Sequence, residues 1–226
     1  MSERPTILLD VDGTLVDSNY QHAIAWHRAF REHGYRAAIW EIHRHVGMGG
    51  DQFVGALLGQ EAEDADGDEL RDAHSQAYAK LIGEVEAIEG ASELIGELAA
   101  AGATVVISSS GEQDEIDHYV ELLGVGEKIA GATTAADAEH SKPDPELVQV
   151  ALDRFGSGGA ALMVGDSTWD VKAAGAAGLP TLALLTGGFC VAELREAGAA
   201  EVSRSLTTVR EHGIEWVLGL AGTSSS

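Results

Sequence analysis

An uninterrupted apolar run, Ile7-Leu8-Leu9, that breaks on Asp10-Val11-Asp12-Gly13-Thr14 constrains this chain more than any other segment. A strand without polar alternation is buried on both faces, as in a parallel sheet covered by helices. Side chains alternate along a strand, so Asp10 and Asp12 leave its end toward the same side. Gly13 permits a sharp turn, and Thr14 adds a hydroxyl beside the acids. Two carboxylates this close repel, so either one holds a proton or a cation lies between them. On its own the pair also fits an acid-rich turn after an edge strand.

From Ala87 onward, short apolar runs alternate with amphipathic stretches, the pattern of repeated β-α units. Strands are predicted over Thr6–Asp10, Thr104–Ser108, Lys128–Gly131, Ala161–Val164 and Thr181–Leu184. Helices are predicted over Ser92–Ala101, Gln113–Leu123, Pro145–Phe155 and Trp169–Ala177. Gly102, Gly124, Gly156 and Gly178 fall just past helix ends, where a positive φ is favoured. About seventy residues separate the first strand from the others, too many for a plain loop.

That interval, Asp17 to Glu86, has a helical pattern and no strand pattern. Ser18 or Asn19 caps a helix that buries Ala23, Trp26 and Phe30 and stops at Gly34. Further helices are expected at Ala38–Val46, Gln52–Leu58 and Glu69–Ile82. The predicted fold class is therefore α/β, a parallel sheet flanked by helices, built from residues 1–16 and 87–226. Residues 17–86 form an α-helical insertion after the first strand, placed to act as a lid over the strand ends. The polar tail Thr223–Ser226 is expected to be disordered.

A chain of 226 residues fits one large domain, or one domain carrying an insertion. Its 37 acidic and 14 basic residues give a formal net charge of -23. That field opposes nucleic acid and anionic membranes as partners, and it makes any phosphate site depend on local positive charge. The single Cys190 excludes an intramolecular disulfide and points to a reducing compartment. No apolar run is as long as a membrane span, and Met1–Pro5 lacks the regions of a signal peptide. The expectation is a cytoplasmic monomer or small homo-oligomer.

Ligands of open α/β sheets bind beyond the carboxyl ends of strands, where the strand order reverses. Every chemically suggestive residue falls there: Asp10 and Asp12, Ser108-Ser109-Ser110-Gly111, Asp166 with Asp170 four residues on, and Lys142 in the loop before a helix. Each also has a plain reading. The serine run fits a helix N-cap as well as an anion site, and Asp166 and Asp170 fit a cap with a dipole-stabilising acid. The coincidence of all four groups at strand ends favours a site.

With Asp10-x-Asp12-Gly13-Thr14, a strand ending at Ser108, Ser141-Lys142-Pro143 and Gly165-Asp166-Ser167-x-x-Asp170 in that order, the chain resembles the haloacid dehalogenase superfamily. Within it the phosphatase branch is the nearest, and the insertion is similar to that family's helical C1 cap. The resemblance covers nearly the whole chain and implies a Rossmann-like core. It implies that Asp10 is a nucleophile forming an aspartyl-phosphate and that Asp12 is the acid and then the base. Mg²⁺ would be held by Asp10, the backbone carbonyl of Asp12, Asp166 and Asp170. Ser108 and the N–H of Ser109 would bind phosphoryl oxygens, with Lys142 neutralising charge.

Asp12 departs from the Tyr, Ala or Thr found there in the dehalogenase, phosphonatase and P-type pump branches, so a phosphoester of a small metabolite is the expected substrate. Specificity in the family is attributed to the cap, where Ser18, His22, Arg44, Met48 and Lys80 are candidate contacts. The loop Gly47-Met48-Gly49-Gly50 lacks the ending of a nucleotide P-loop and fits a hinge or substrate loop. Asp17-Ser18-x-x-x-His22 and Tyr78-x-Lys80 are also similar to β-phosphoglucomutase-like enzymes, so a sugar phosphomutase is the alternative activity. A non-catalytic binding module on the same scaffold is the third reading.

Overall fold

The computed structural model describes residues 4–156 and 158–222. The first strand, β1 (Thr6–Leu9), is followed by four helices, α1 (Asn19–Glu32), α2 (Ile39–His43), α3 (Gly50–Leu58) and α4 (Gln60–Tyr78). The alternating part comprises α5 (Ala91–Ala100), β2 (Thr104–Ser108), α6 (Gln113–Leu123), β3 (Gly131–Thr133), α7 (Glu146–Phe155) and β4 (Ala161–Gly165). It continues through α8 (Thr168–Ala176), β5 (Thr181–Leu184), α9 (Val191–Ala197), β6 (Glu201–Ser203), α10 (Leu206–His212) and α11 (Ile214–Ala221).

Among the described residues all six strands are parallel, in the order β3-β2-β1-β4-β5-β6. The fold is thus the predicted α/β class, with β1 at the point where the order reverses. All four residues of β1 are buried. Ile7 and Leu9 enter one apolar layer with Leu94 and Leu98 of α5, Ile116 of α6, Val209 of α10 and Val217 of α11. Leu8 enters the opposite layer with Val148 of α7 and Ala173 of α8. This two-sided burial is why the strand has no polar alternation.

Register does the positioning. Leu9 lies level with Ile107 of β2 and Val164 of β4, so Asp10, Ser108 and Gly165 emerge side by side. Asp166 follows directly.

The inserted helices pack around their own cluster, Ala23, Trp26, Phe30, Ile42, Phe53, Val54 and Leu70. Their two connections to the sheet run side by side. Asp17 N donates to Glu86 O (2.9 Å), Ile88 N to Leu15 O (2.9 Å), and Val16 bridges Ala87 antiparallel. Among the described residues, no helix is long and apolar enough to cross a membrane.

Several boundaries differ from expectation. The third strand is Gly131–Thr133 rather than Lys128–Gly131, because Lys128 N closes a turn on Val125 O (2.8 Å) and pairing with β2 starts after it. Gly131 is also where the Phe155 ring packs, with no room for a Cβ. Helix α4 begins at Gln60, nine residues before the expected Glu69. Gly102, Gly124 and Gly178 take positive φ at helix ends, whereas Gly156 is extended (φ -63°, ψ 142°) and Gly158 makes the left-handed turn. The tail Thr223–Ser226 lies outside the described residues.

Candidate active site

The end of β1 is tied into the sheet by Asp10 N, which donates to Val164 O (3.0 Å). The chain then folds back on itself, with the N–H groups of Thr14, Leu15 and Val16 all donating to Val11 O. Gly13, at φ +73°, allows that turn, and any Cβ there would overlap the Asp166 carboxylate and the Asn19 amide. The turn packs Asp166 against Thr14 and the start of α1. Asn19 Nδ2 donates to Asp166 Oδ2 (2.8 Å) and Thr14 Oγ1 to Asp166 Oδ1 (3.4 Å).

Asp170 combines a part in capping α8 with a place beside Lys142. Ser167 caps α8, and Ser167 N and Oγ donate to Asp170 Oδ2 (3.1 and 2.6 Å) in a reciprocal capping box. The other oxygen, Oδ1, faces Lys142 Nζ at 2.8 Å. Lys142 is fully buried and pairs as well with Asp10 Oδ1. Carboxylate oxygens of Asp10, Asp166 and Asp170 all lie within 4.8 Å of one another.

One buried lysine does not balance three buried acids. Burial, with Asp170 and Asp12 adding repulsion against the opposing pull of Lys142, raises Asp10 from 3.8 to about 7. Burial and the neighbouring Asp10 and Asp170 raise Asp166 well above its ordinary value. Burial opposes the charge on Lys142, but the two carboxylates prevail and move it upward. Asp10 Oδ2 and Ser108 Oγ are buried without hydrogen-bond partners. An all-oxygen, acid-rich cluster with an orphaned acceptor fits a hard divalent cation such as Mg²⁺.

Asp12 sits in different surroundings. Its Oδ1 accepts from Ser18 Oγ (2.5 Å) and lies 3.0 Å from His22 Nε2. Burial works upward on Asp12, but His22 and Ser18 outweigh it and hold the carboxyl below its ordinary value. His22 is moved upward, Asp12 overcoming burial. The Tyr78 ring stacks on His22 at 3.7 Å, and His22 Nδ1 meets His74 Nε2 at 3.2 Å. Ser18 therefore occupies the N-cap position of α1 without capping it; its hydroxyl is turned to Asp12.

Asp10, Asp12, His22, Met48, Trp26, Phe53 and His74 line one cavity of about 260 Å³ between the inserted helices and the sheet. Arg44 is directed elsewhere, to Glu193 (2.5 Å) and over the Phe189 ring (3.9 Å). Lys80 is exposed and outside the cavity lining. Gly49 N donates to Lys142 O (3.1 Å), Gln52 Nε2 to Ser141 O (2.5 Å) and Ser141 N to Asp51 Oδ2 (3.1 Å). The glycine-rich loop thus docks on the segment that carries Lys142.

The serine run needs two corrections. Helix α6 is capped at Glu112, so the serines are not its N-cap. The N–H of Ser109, expected to meet a phosphoryl oxygen, donates to Thr133 O (3.1 Å) and prolongs the β2–β3 ladder. Ser110, which nothing in the sequence separates from its neighbours, lines the cavity with an unpartnered Oγ. Asn19 reads from the sequence only as a possible cap, and no spacing there signals its contact with Asp166.

The family model of haloacid dehalogenase-like hydrolases matches residues 5–178. Pyrophosphatase PpaX of Bacillus velezensis is 32% identical over 77% of this chain and 80% of its own length. A phosphoglycolate phosphatase of Mesorhizobium japonicum is 30% identical over 80% of this chain and 82% of its own. The crystal structure of a hydrolase from Pseudomonas syringae superposes with a TM-score of 0.87, at 32% identity, covering 94% of this chain and 99% of that one. The order of the acids along the sheet, the buried lysine and these matches agree: the chain belongs to the haloacid dehalogenase-like hydrolases.

Proposed function

We propose that this protein is a Mg²⁺-dependent phosphatase that hydrolyses a small phosphomonoester through an aspartyl-phosphate on Asp10. The observation that carries the reading is the state of Asp10. Its Oδ1 is held by Lys142, while Oδ2 is buried, unpartnered and part of a residue lining the cavity. Names of relatives support the same class, since one is called a phosphoglycolate phosphatase and another a pyrophosphatase.

Asp10, Asp166, Asp170 and the backbone carbonyl of Asp12 would hold Mg²⁺, which supplies positive charge for the phosphoryl oxygens and keeps the acids ionised. Asp10 Oδ2 attacks phosphorus in line, forming an acyl-phosphate bond as the ester P–O bond breaks. Asp12 and His22 together hold a proton, and Asp12 passes it to the departing oxygen. Asp12 then takes a proton from water attacking the phosphorus, and Asp10 is released as a carboxylate with inorganic phosphate. Lys142 orients Asp10 throughout and offsets charge on the transferring group. Ser108 Oγ, buried and unpartnered, is available to a phosphoryl oxygen.

The inserted helices would act as a cap over this centre. A phosphomutase of the β-phosphoglucomutase type is the alternative activity, but Lys80, the cap lysine it would use, lies outside the cavity lining. The test is release of inorganic phosphate from p-nitrophenyl phosphate with Mg²⁺ and with chelator. Activity that requires Mg²⁺ and disappears in Asp10→Asn is expected; turnover untouched by that substitution would refute the mechanism.

A further inference from the structure

The cavity above Asp10 is lopsided in charge. Beyond Asp10 and Asp12, its lining carries Asp51 from α3, Glu112 and Glu115 at the start of α6, and Glu139. Among the described lining residues Arg71 is the one arginine or lysine, and it is already engaged. It pairs with Glu63 and Asp68 (both 2.8 Å) and donates to Gly50 O (3.1 Å). Glu115 is the deepest of the added acids. It is partly buried, and its charge is felt at His22, Tyr78 and Tyr119. Burial pushes its carboxyl up to about 7, so it is mostly ionised by pH 8.

A separate feature points to a ligand in the same space. Asp10 is 3% exposed, its Oδ2 has no partner, and it lines this cavity. A phosphoryl group there would lie over the Asp10–Lys142 pair and any cation that the acid cluster holds. The alcohol half of the ester would meet Glu115 and the rim acids, with no free lysine or arginine beside it. Carboxylates suit an ammonium group, and they repel a second anion.

We propose that the substrate is the phosphomonoester of an amino alcohol, and that Glu115 selects its protonated amine while excluding esters with a second anionic group. This rests on the phosphatase reading above. It separates this chain from the activities in the names of its two relatives, since phosphoglycolate and pyrophosphate both carry further negative charge.

Three probes of nearly equal size test it: 2-aminoethyl phosphate, 2-hydroxyethyl phosphate and phosphoglycolate, with p-nitrophenyl phosphate as reference. Phosphate release with Mg²⁺ is measured near pH 8, where Glu115 is ionised. The expected order of kcat/KM is amino above hydroxy above carboxy, with steps of about tenfold for one charge at close range. Glu115→Gln is expected to shrink the amino-to-carboxy ratio about tenfold, and Glu139→Gln at the rim to shrink it less. The wild-type order stands as a test even if the Glu115 variant fails to fold. Phosphoglycolate cleaved as well as the amine, or a ratio unchanged in a folded Glu115→Gln, overturns the proposal. Release from p-nitrophenyl phosphate without that order overturns the substrate class alone, whereas release from none of the four overturns the phosphatase reading and this inference with it.

Discussion

Replacing the proposed nucleophile should stabilise the metal-free protein. Asp10 is raised from 3.8 to about 7, chiefly by burial and by Asp170, with Lys142 opposing. The folded state therefore binds this proton more tightly than the unfolded chain does. Between pH 3.8 and about 7 folding takes up a proton, so stability falls as pH rises through that window. Above it the full cost remains, about 4 kcal/mol at about 1.4 kcal/mol for each tenfold displacement of the proton equilibrium. Asp10→Asn keeps the shape of the neutral acid and removes the charge. In chelator near pH 8 the variant is expected to exceed wild type by up to about 4 kcal/mol, shrinking to about 2 kcal/mol near pH 5. Urea denaturation followed by circular dichroism at the two pH values reads both numbers. Added Mg²⁺ should narrow or reverse the difference, because a cation held by the wild-type acids stabilises the native state by mass action. A variant less stable than wild type at the higher pH would refute the reasoning, since the Asp10–Lys142 pair would then outweigh the burial of its charges.

Other consequences are smaller or more local. His22→Gln removes the partner that shares a proton with Asp12, so kcat should fall about 10²-fold with KM little changed; an unaltered kcat would contradict the role. Gly13→Ala forces a side chain into a left-handed turn against Asp166 and Asn19, and it should abolish the rise in melting temperature that Mg²⁺ gives wild type. Arg44→Ala loses a partly exposed ion pair and the contact with Phe189, which should lower stability by only about 1 kcal/mol; a loss above about 3 kcal/mol in thermal denaturation would mean that the contact anchors the inserted helices.

The sheet was legible because its central strands are buried on both faces and stay apolar throughout, as Ile7–Leu9, Val105–Ile107 and Leu162–Val164 do. Where packing is one-sided or the strand is short, that signal fades. Strand β6 has three residues, begins with Glu201 and was not foreseen, and neither were helices α9 to α11. The start of helix α4 is hard to read because its acid-rich first half buries only Ala62 and Gly67, leaving no clear apolar stripe. The acids and Lys142 could be gathered from sequence since each follows a strand or precedes a helix, and parallel register brings those ends level. Contacts set by tertiary packing could not. Nothing local tells that Asn19 reaches Asp166, that His74 meets His22, or that Arg44 turns to Glu193. The N–H of Ser109 illustrates the same limit: whether it faces a ligand or a neighbouring strand depends on where β3 starts.

Asp10 as the atom donor to phosphorus is the step on which everything else depends. Acid quenching during turnover of p-nitrophenyl phosphate, followed by mass spectrometry of the peptide containing Asp10, tests it most directly. The peptide is expected to gain the mass of one phosphoryl group, on Asp10 and not on Asp12, with no gain in Asp10→Asn. Sustained turnover with the Asp10 peptide unmodified, and with activity retained in Asp10→Asn, would contradict it.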